Sequence, residues 1–184
     1  MPSLTRRRFA GRAAIAATAA SYGRIRGAND TIGIGVIGLG NISGGHLKEY
    51  ARRPGARITA VCDIYAPRLD RGVTQSAARG YRRYEDLIQD PRVDAVIVCT
   101  PDHWHAPMAI AAMQAGKDVD VEKPMSLTIA EAAQMVATAE QTKRILAVDS
   151  EHMAHGIWEP ARRLVAAGLR GKIGWSQTSG SRNT

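Results

Sequence analysis

An α/β fold built on a doubly wound parallel sheet is what this sequence predicts, and three observations carry the prediction. Short apolar runs rich in β-branched residues recur along the chain, apolar at nearly every position, as strands buried on both faces require. Each run is followed by a segment with helical spacing, so strand and helix alternate six times, which favours a parallel sheet with right-handed crossovers. The first run passes directly into a glycine turn, Gly38-Leu39-Gly40-Asn41-Ile42-Ser43, that opens a helix.

In order, Ile32, Ile34, Val36 and Ile37 make the first strand, and the helix from about Ser43 to Arg52 stops at Pro54-Gly55. The second strand, Ile58 to Cys62, ends on Asp63. Pro67 suits the first turn of the next helix, which carries Leu69, Val73 and Ala77 on one side and ends at Gly80. A short strand at Tyr81 to Arg83 and a helix at Glu85 to Gln89 lead to the Asp90-Pro91 turn and a fourth strand, Val93 to Cys99. The polar stretch Thr100 to Pro107 follows, then a helix from Met108 to Ala115 that closes on Gly116. Strand five is Val119 to Val121, and Glu122-Lys123-Pro124 leaves its carboxyl end. Thr128 caps the next helix with Glu131 as its capping-box partner, and strand six is Ile145 to Val148. A helix from Trp158 to Ala167 and one strand, about Ile173 to Thr178, complete the chain.

The glycine turn has the chemistry of a phosphate cradle. Gly38 permits the tight bend, Gly40 lets the backbone approach a pyrophosphate, and the free N–H groups that open the helix around Asn41 and Ile42 hold the charge. A second register, Gly33-x-Gly35-x-x-Gly38, fits the same pattern but would put the turn inside the apolar run. In the preferred register Ser43 replaces the third glycine, small enough for close packing of helix on strand. Asp63 lies 25 residues after Gly38, where a carboxylate accepts the hydroxyls of an adenine ribose and repels a 2′-phosphate. This favours NAD, with NADP possible; the alternative for Asp63 is a solvated strand-end carboxylate. Thr100 to Pro107 lies at the carboxyl end of strand four, on the rim where open α/β sheets bind ligands. His103 and His105 with Asp102 can also be read as a metal cluster, but no further ligands follow at standard spacing, and no metal is expected.

Composition bounds the partners. The chain of 184 residues has 25 Lys and Arg against 17 Asp and Glu, a net charge of +8. Residues 1–28 hold six arginines and no acid, so the remainder carries 19 basic residues against the same 17 acidic ones. No basic stretch interleaved with aromatics argues for nucleic acid. The leader, Thr5-Arg6-Arg7-Arg8-Phe9 followed by the alanine-rich run Ala13 to Ala20, resembles a bacterial twin-arginine signal; a disordered basic arm is the alternative. Its apolar run is too short to anchor the chain in a membrane, and the implied location is the periplasm. Cys62 and Cys99 each end a predicted strand, with strand one between them, so two buried thiols are expected and no disulfide.

The turn from Gly38 to His46, Val61-Cys62-Asp63, Thr100-Pro101-Asp102-His103-Trp104-His105 and Glu122-Lys123-Pro124, in that order, resemble the glucose-fructose oxidoreductase, inositol dehydrogenase and rhizopine catabolism (Gfo/Idh/MocA) family. The resemblance covers roughly residues 30 to 180. It implies a Rossmann domain and a nicotinamide-dependent oxidoreductase acting on a sugar, a cyclitol or a derivative. By the same resemblance Lys123 is the catalytic lysine, Thr100, Pro101 and His105 lie near the nicotinamide, and Glu122 helps fix the cofactor and Lys123. The chemistry agrees, since a lysine beside a cationic ring is suited to accept a hydroxyl proton; a strand-end surface lysine is the alternative.

The organisation read from the sequence is an export signal at 1–28, a Rossmann domain at 29–150, and at 151–184 a linker helix and the first strand of a second α+β domain. In the family that domain shapes the substrate pocket and usually the subunit contact, so a homo-oligomer is expected only with it. Two functions follow: the amino-terminal portion of a periplasmic dehydrogenase, or a binding module that retains NAD and turns nothing over. An NAD-using glycoside hydrolase is a third reading, against which Glu122-Lys123-Pro124 weighs.

Overall fold

The computed structural model describes residues 31–150, 158–168, 171, 174, 175 and 177. The expected export leader, residues 1–28, lies outside these residues, as does half of the strand expected at 173–178, whose described positions Gly174, Trp175 and Gln177 are not in a strand. The elements are β1 (Ile32–Ile37), α1 (Ser43–Tyr50), β2 (Ala56–Cys62), α2 (Ala66–Ser76), β3 (Arg79–Tyr81), α3 (Tyr84–Ile88), β4 (Ala95–Val98), α4 (His105–Gln114), β5 (Asp118–Glu122), α5 (Ile129–Thr142), β6 (Leu146–Asp149) and α6 (Trp158–Ala166). A 3₁₀ turn at Asp102–Trp104 leads into α4. The chain divides into two units after Asp149. In the second, α6 carries an Arg162 and Arg163 pair on Glu159. Among the described residues no helix is long and apolar enough to cross a membrane.

All strand pairs are parallel, in the order β3-β2-β1-β4-β5-β6. The predicted doubly wound Rossmann sheet is therefore present, and the strand order reverses between β1 and β4. One core packs α4 and α5 on the sheet through Val96, Val98, Val121, Ala109, Met113 and Met135. The other holds Ile34, Val36, Leu47, Ile58, Val61 and Ile97. Each fully buried Val or Ile contributes roughly 1.5–3 kcal/mol. The register slips between Ile34 and Gly35, leaving Thr59 as the extra residue of β2. Its hydroxyl donates to the carbonyls of Ile34 and Arg92, which closes the irregularity.

Several boundaries differ from the sequence reading, each for a packing reason. Helix α2 stops at Ser76, where Ala77 takes a left-handed conformation (φ 53°), and not at Gly80. Gly80 sits in β3, which runs two residues earlier than expected, and packs so closely on α2 that a Cβ there would lie 2.7 Å from Val73 Cγ2. Helix α4 begins at His105 and takes in Ala106 and Pro107, since proline is tolerated in a first turn. Gly33 and Gly35 lie inside β1, against Arg92, Leu87 and Val93, so the glycine turn is the one at Gly38. The capping box on α5 forms with both of its expected bonds, from Thr128 and from Glu131.

Candidate functional site

At the carboxyl edge of the sheet, where β1 and β4 part, lies a cleft of about 760 Å³. Gly38, Gly40, Asp63, Thr100 and Pro101 line it, together with Arg68, Arg82, His103 and Trp104. Gly38 has φ +88°, and a Cβ would lie 2.7 Å from the Cys99 carbonyl oxygen, so the turn accepts only glycine. At Gly40 a Cβ would meet nothing within 4 Å, which leaves the backbone open to the cleft. Ser43 is buried and donates its hydroxyl to the Gly40 carbonyl at 2.7 Å, tying the turn to α1. No side chain caps α1, and of its first N–H groups that of Gly45 donates to the Ile42 carbonyl at 3.0 Å.

Asp63 is buried at the end of β2. One carboxylate oxygen accepts from Leu39 N–H and the other from Tyr65 N–H, each at 2.8 Å. It therefore braces the glycine turn as well as facing the cleft, a role its sequence position did not reveal. Each oxygen keeps a second lone pair. Thr100 Oγ1 is, among the described residues, the buried side-chain polar atom with no hydrogen-bond partner. An orphaned hydroxyl on a ligand-sized cleft fits a polar group supplied from outside the protein.

The remaining predicted residues take other places. Asn41 lines a neighbouring cleft between α1 and α2, and exposed Ile42 lines neither. His105 is buried beneath the rim, with Nε2 2.7 Å from the Thr100 carbonyl and Nδ1 2.7 Å from the Pro124 carbonyl. Both nitrogens are occupied, so the metal reading of His103 and His105 has no support from this ring. Glu122 and Lys123 leave the end of β5, the strand beside β4, with Val98 paired to Val121. Two residues beyond that pair stand Thr100 and Lys123, which places them on one rim although Lys123 does not line the cleft. Lys123 is half-buried, and its peptide bond to Pro124 is cis.

Sequence reasoning missed His46. From α1 its Nε2 reaches Glu122 Oε1 at 2.9 Å and Asp149 Oδ2 at 3.5 Å, while Glu122 Oε2 accepts from Lys123 N–H. These three side chains are the described group whose potential ligand atoms come together, within 4.8 Å. Alternation in Asp118-Val-Asp120-Val-Glu122 was the available signal, since it sends three acids to one face of β5. Burial and the nearby Asp149 raise the carboxyl of Asp120, with His46 opposing. Cys62 and Cys99 are free thiols in the cleft wall; burial pushes Cys62 up to about 12 and Cys99 in the same direction.

A family model described as an oxidoreductase family with an NAD-binding Rossmann fold matches residues 32–150. A glycosyl hydrolase family 109 protein of Shewanella pealeana is 38% identical over 125 residues, 62% of this chain and 27% of that protein. One from Saccharopolyspora erythraea is 39% identical over 127 residues, 64% and 28% respectively. The chain thus spans little more than a quarter of the length of these curated relatives. Among solved structures, the WlbA dehydrogenase of Bordetella pertussis, in complex with NADH and UDP-GlcNAcA, superposes with a TM-score of 0.76 at 25% identity, covering 80% of this chain and 43% of that one. KijD10, a 3-ketoreductase of Actinomadura kijaniata in complex with NADP and TDP-benzene, gives 0.72 at 26% identity, covering 76% and 43%.

Proposed function

Because this chain belongs to the Gfo/Idh/MocA oxidoreductase family, we propose that it holds a nicotinamide dinucleotide across the β1–β4 cleft and serves hydride exchange with a sugar-like substrate. The observation that carries this reading is the cleft itself: a glycine-only turn with Thr100, whose hydroxyl has no partner, packed beside it. When bound, such a cofactor accepts or returns a hydride. In this proposal Gly38, Gly40 and the uncapped start of α1 take the pyrophosphate, Asp63 the ribose hydroxyls, and Thr100 and Pro101 the nicotinamide end. Asp63 favours NAD; Arg68 and Arg82 in the same wall keep NADP possible. Lys123 takes the hydroxyl proton when the substrate carbinol is oxidised and gives it back in reduction, with Glu122 bracing its backbone.

Two overall reactions share that first step. Simple oxidation or reduction is the reading that the dehydrogenase and ketoreductase neighbours support. The relatives named glycosyl hydrolase support a second, in which a bound dinucleotide would take a hydride from a sugar carbinol, the acidified adjacent C–H would give up its proton as the glycosidic oxygen leaves, and addition of water and return of the hydride would restore the sugar. Either activity belongs to a longer protein with a substrate domain, and its subunit contacts are proposed to lie there. The arginine-rich leader supports export by the twin-arginine route to the periplasm. Calorimetry with NAD and NADP tests the core proposal: NAD is expected to bind and NADP more weakly, and heat from neither would sink it. In the longer protein, Lys123→Ala is expected to lower turnover about a hundredfold or more with cofactor affinity kept.

A further inference from the structure

His46 joins two parts of the molecule that are 76 residues apart in the chain. Its Nε2 lies 2.9 Å from Glu122 Oε1, and the other oxygen of that carboxylate accepts from Lys123 N–H at 3.2 Å. A carboxylate accepts and does not donate, so the imidazole is the donor on one oxygen as the main chain is on the other. Glu122 is 7% exposed, which leaves little room for water to replace either bond. Asp149, paired with Glu122 in the β5–β6 register, offers Oδ2 to the same nitrogen at 3.5 Å, but its side chain is 39% exposed and open to solvent. On α1, His46 stands one turn beyond Ser43, whose hydroxyl donates to the Gly40 carbonyl in the cleft wall. Between them come Gly44 and Gly45, which weaken a helix, and no side chain caps its start. The first turn of α1 is therefore held by side chains, Ser43 on the glycine turn and His46 on the end of β5.

We infer that His46 is a positioning residue: through the Glu122 carboxylate it fastens the strand end that carries Lys123 to the helix that opens on the cleft. A carboxylate is planar, and a donor on each oxygen fixes its orientation. Removing the imidazole leaves a buried oxygen without a donor, and the carboxylate turns away from Lys123 N–H to recover one. The Lys123–Pro124 turn then loses its link to α1, while the pairing of β1 to β3 is untouched. The consequence for proton transfer rests on the role proposed for Lys123; the tether itself does not.

Amide hydrogen exchange of the chain, without dinucleotide, reads the tether at the Lys123 amide. His46→Leu keeps an apolar body and removes the donor. Exchange at Lys123 is then expected to quicken about tenfold or more relative to the amides of β1 to β3. His46→Gln carries an N–H at the reach of Nε2 and is expected to restore exchange to within about threefold of the parent. No change in the Leu variant, or an equal change across the whole sheet, would overturn the inference. So would a Gln variant as fast as the Leu one, since His46 would then act by packing alone. If the Leu variant does not fold, Glu122→Gln takes its place: its amide sets an N–H against one of the two donors, and the same local quickening at Lys123 is expected. Its absence there would equally refute the tether. Calorimetry of the parent chain with NAD tests the functional proposal separately; no heat would refute that proposal and leave the exchange comparison standing.

Discussion

The two ends of the sheet differ in how completely their polar groups are paired. At the amino end, ahead of β4 and β5, they are mutually paired. Asp90 accepts from the Tyr81 hydroxyl at 2.8 Å and from Arg92, while the buried Lys117 amine donates to the Asp90 and Val93 carbonyls. Asp94 accepts from Gly33 N–H. At the carboxyl end a cleft opens, α1 begins without a side-chain cap, and the Thr100 hydroxyl has no partner. The Arg92 guanidinium beside Asp90 holds that carboxyl well below the usual range, yet Asp90 lies outside the cleft. A strongly shifted group marks a function only when it faces a ligand-sized space. Here the closed network stabilises the fold, and the carboxyl end presents the open cleft.

That contrast can be broken most forcefully at Gly33. An alanine there drives its methyl into the Arg92 carbonyl oxygen, which is backbone and cannot step aside. The expected loss is about 3–4 kcal/mol of stability, read as a lower urea midpoint; little change would mean that the amino end is not rigid. Asp90→Asn comes next. The folded carboxylate contributes stability above the unfolded value of about 4, and that contribution disappears as pH falls through the lower folded value. The variant is therefore expected to be less stable than the parent near neutrality, with the gap shrinking on acidification below about pH 4. A gap independent of pH would assign its effect to packing. Thr100→Val should have the smallest effect on folding, within about 1 kcal/mol, because it removes a hydroxyl that bonds to nothing. It sharpens the comparison if dinucleotide affinity nevertheless falls about threefold or more.

Much of this architecture was legible in local pattern. Apolar runs fell on four of the six strands, Thr128 and Glu131 marked the start of α5, and Gly38 marked the turn. The boundaries that slipped, at Gly80 and at the start of α4, depend on neighbours from other elements. The residues expected at the site do not all share one set of neighbours. Gly38, Gly40, Asp63, Thr100 and Pro101 meet in one cleft, whereas Ile42, His105, Glu122 and Lys123 stand outside its wall.

By itself the sequence determined the strand and helix periodicity, the position of the glycine turn and the rim on which the polar stretches lie. Those follow from interactions over a few residues and from the chirality of crossovers. Only the tertiary structure decided that His46 meets Glu122 across 76 residues, that Asp63 braces Leu39, and that His105 joins two turns. Such contacts exist because the strand order brings β1, β4 and β5 side by side, and a pattern with a reach of four residues contains no information about side-chain distances set by that juxtaposition.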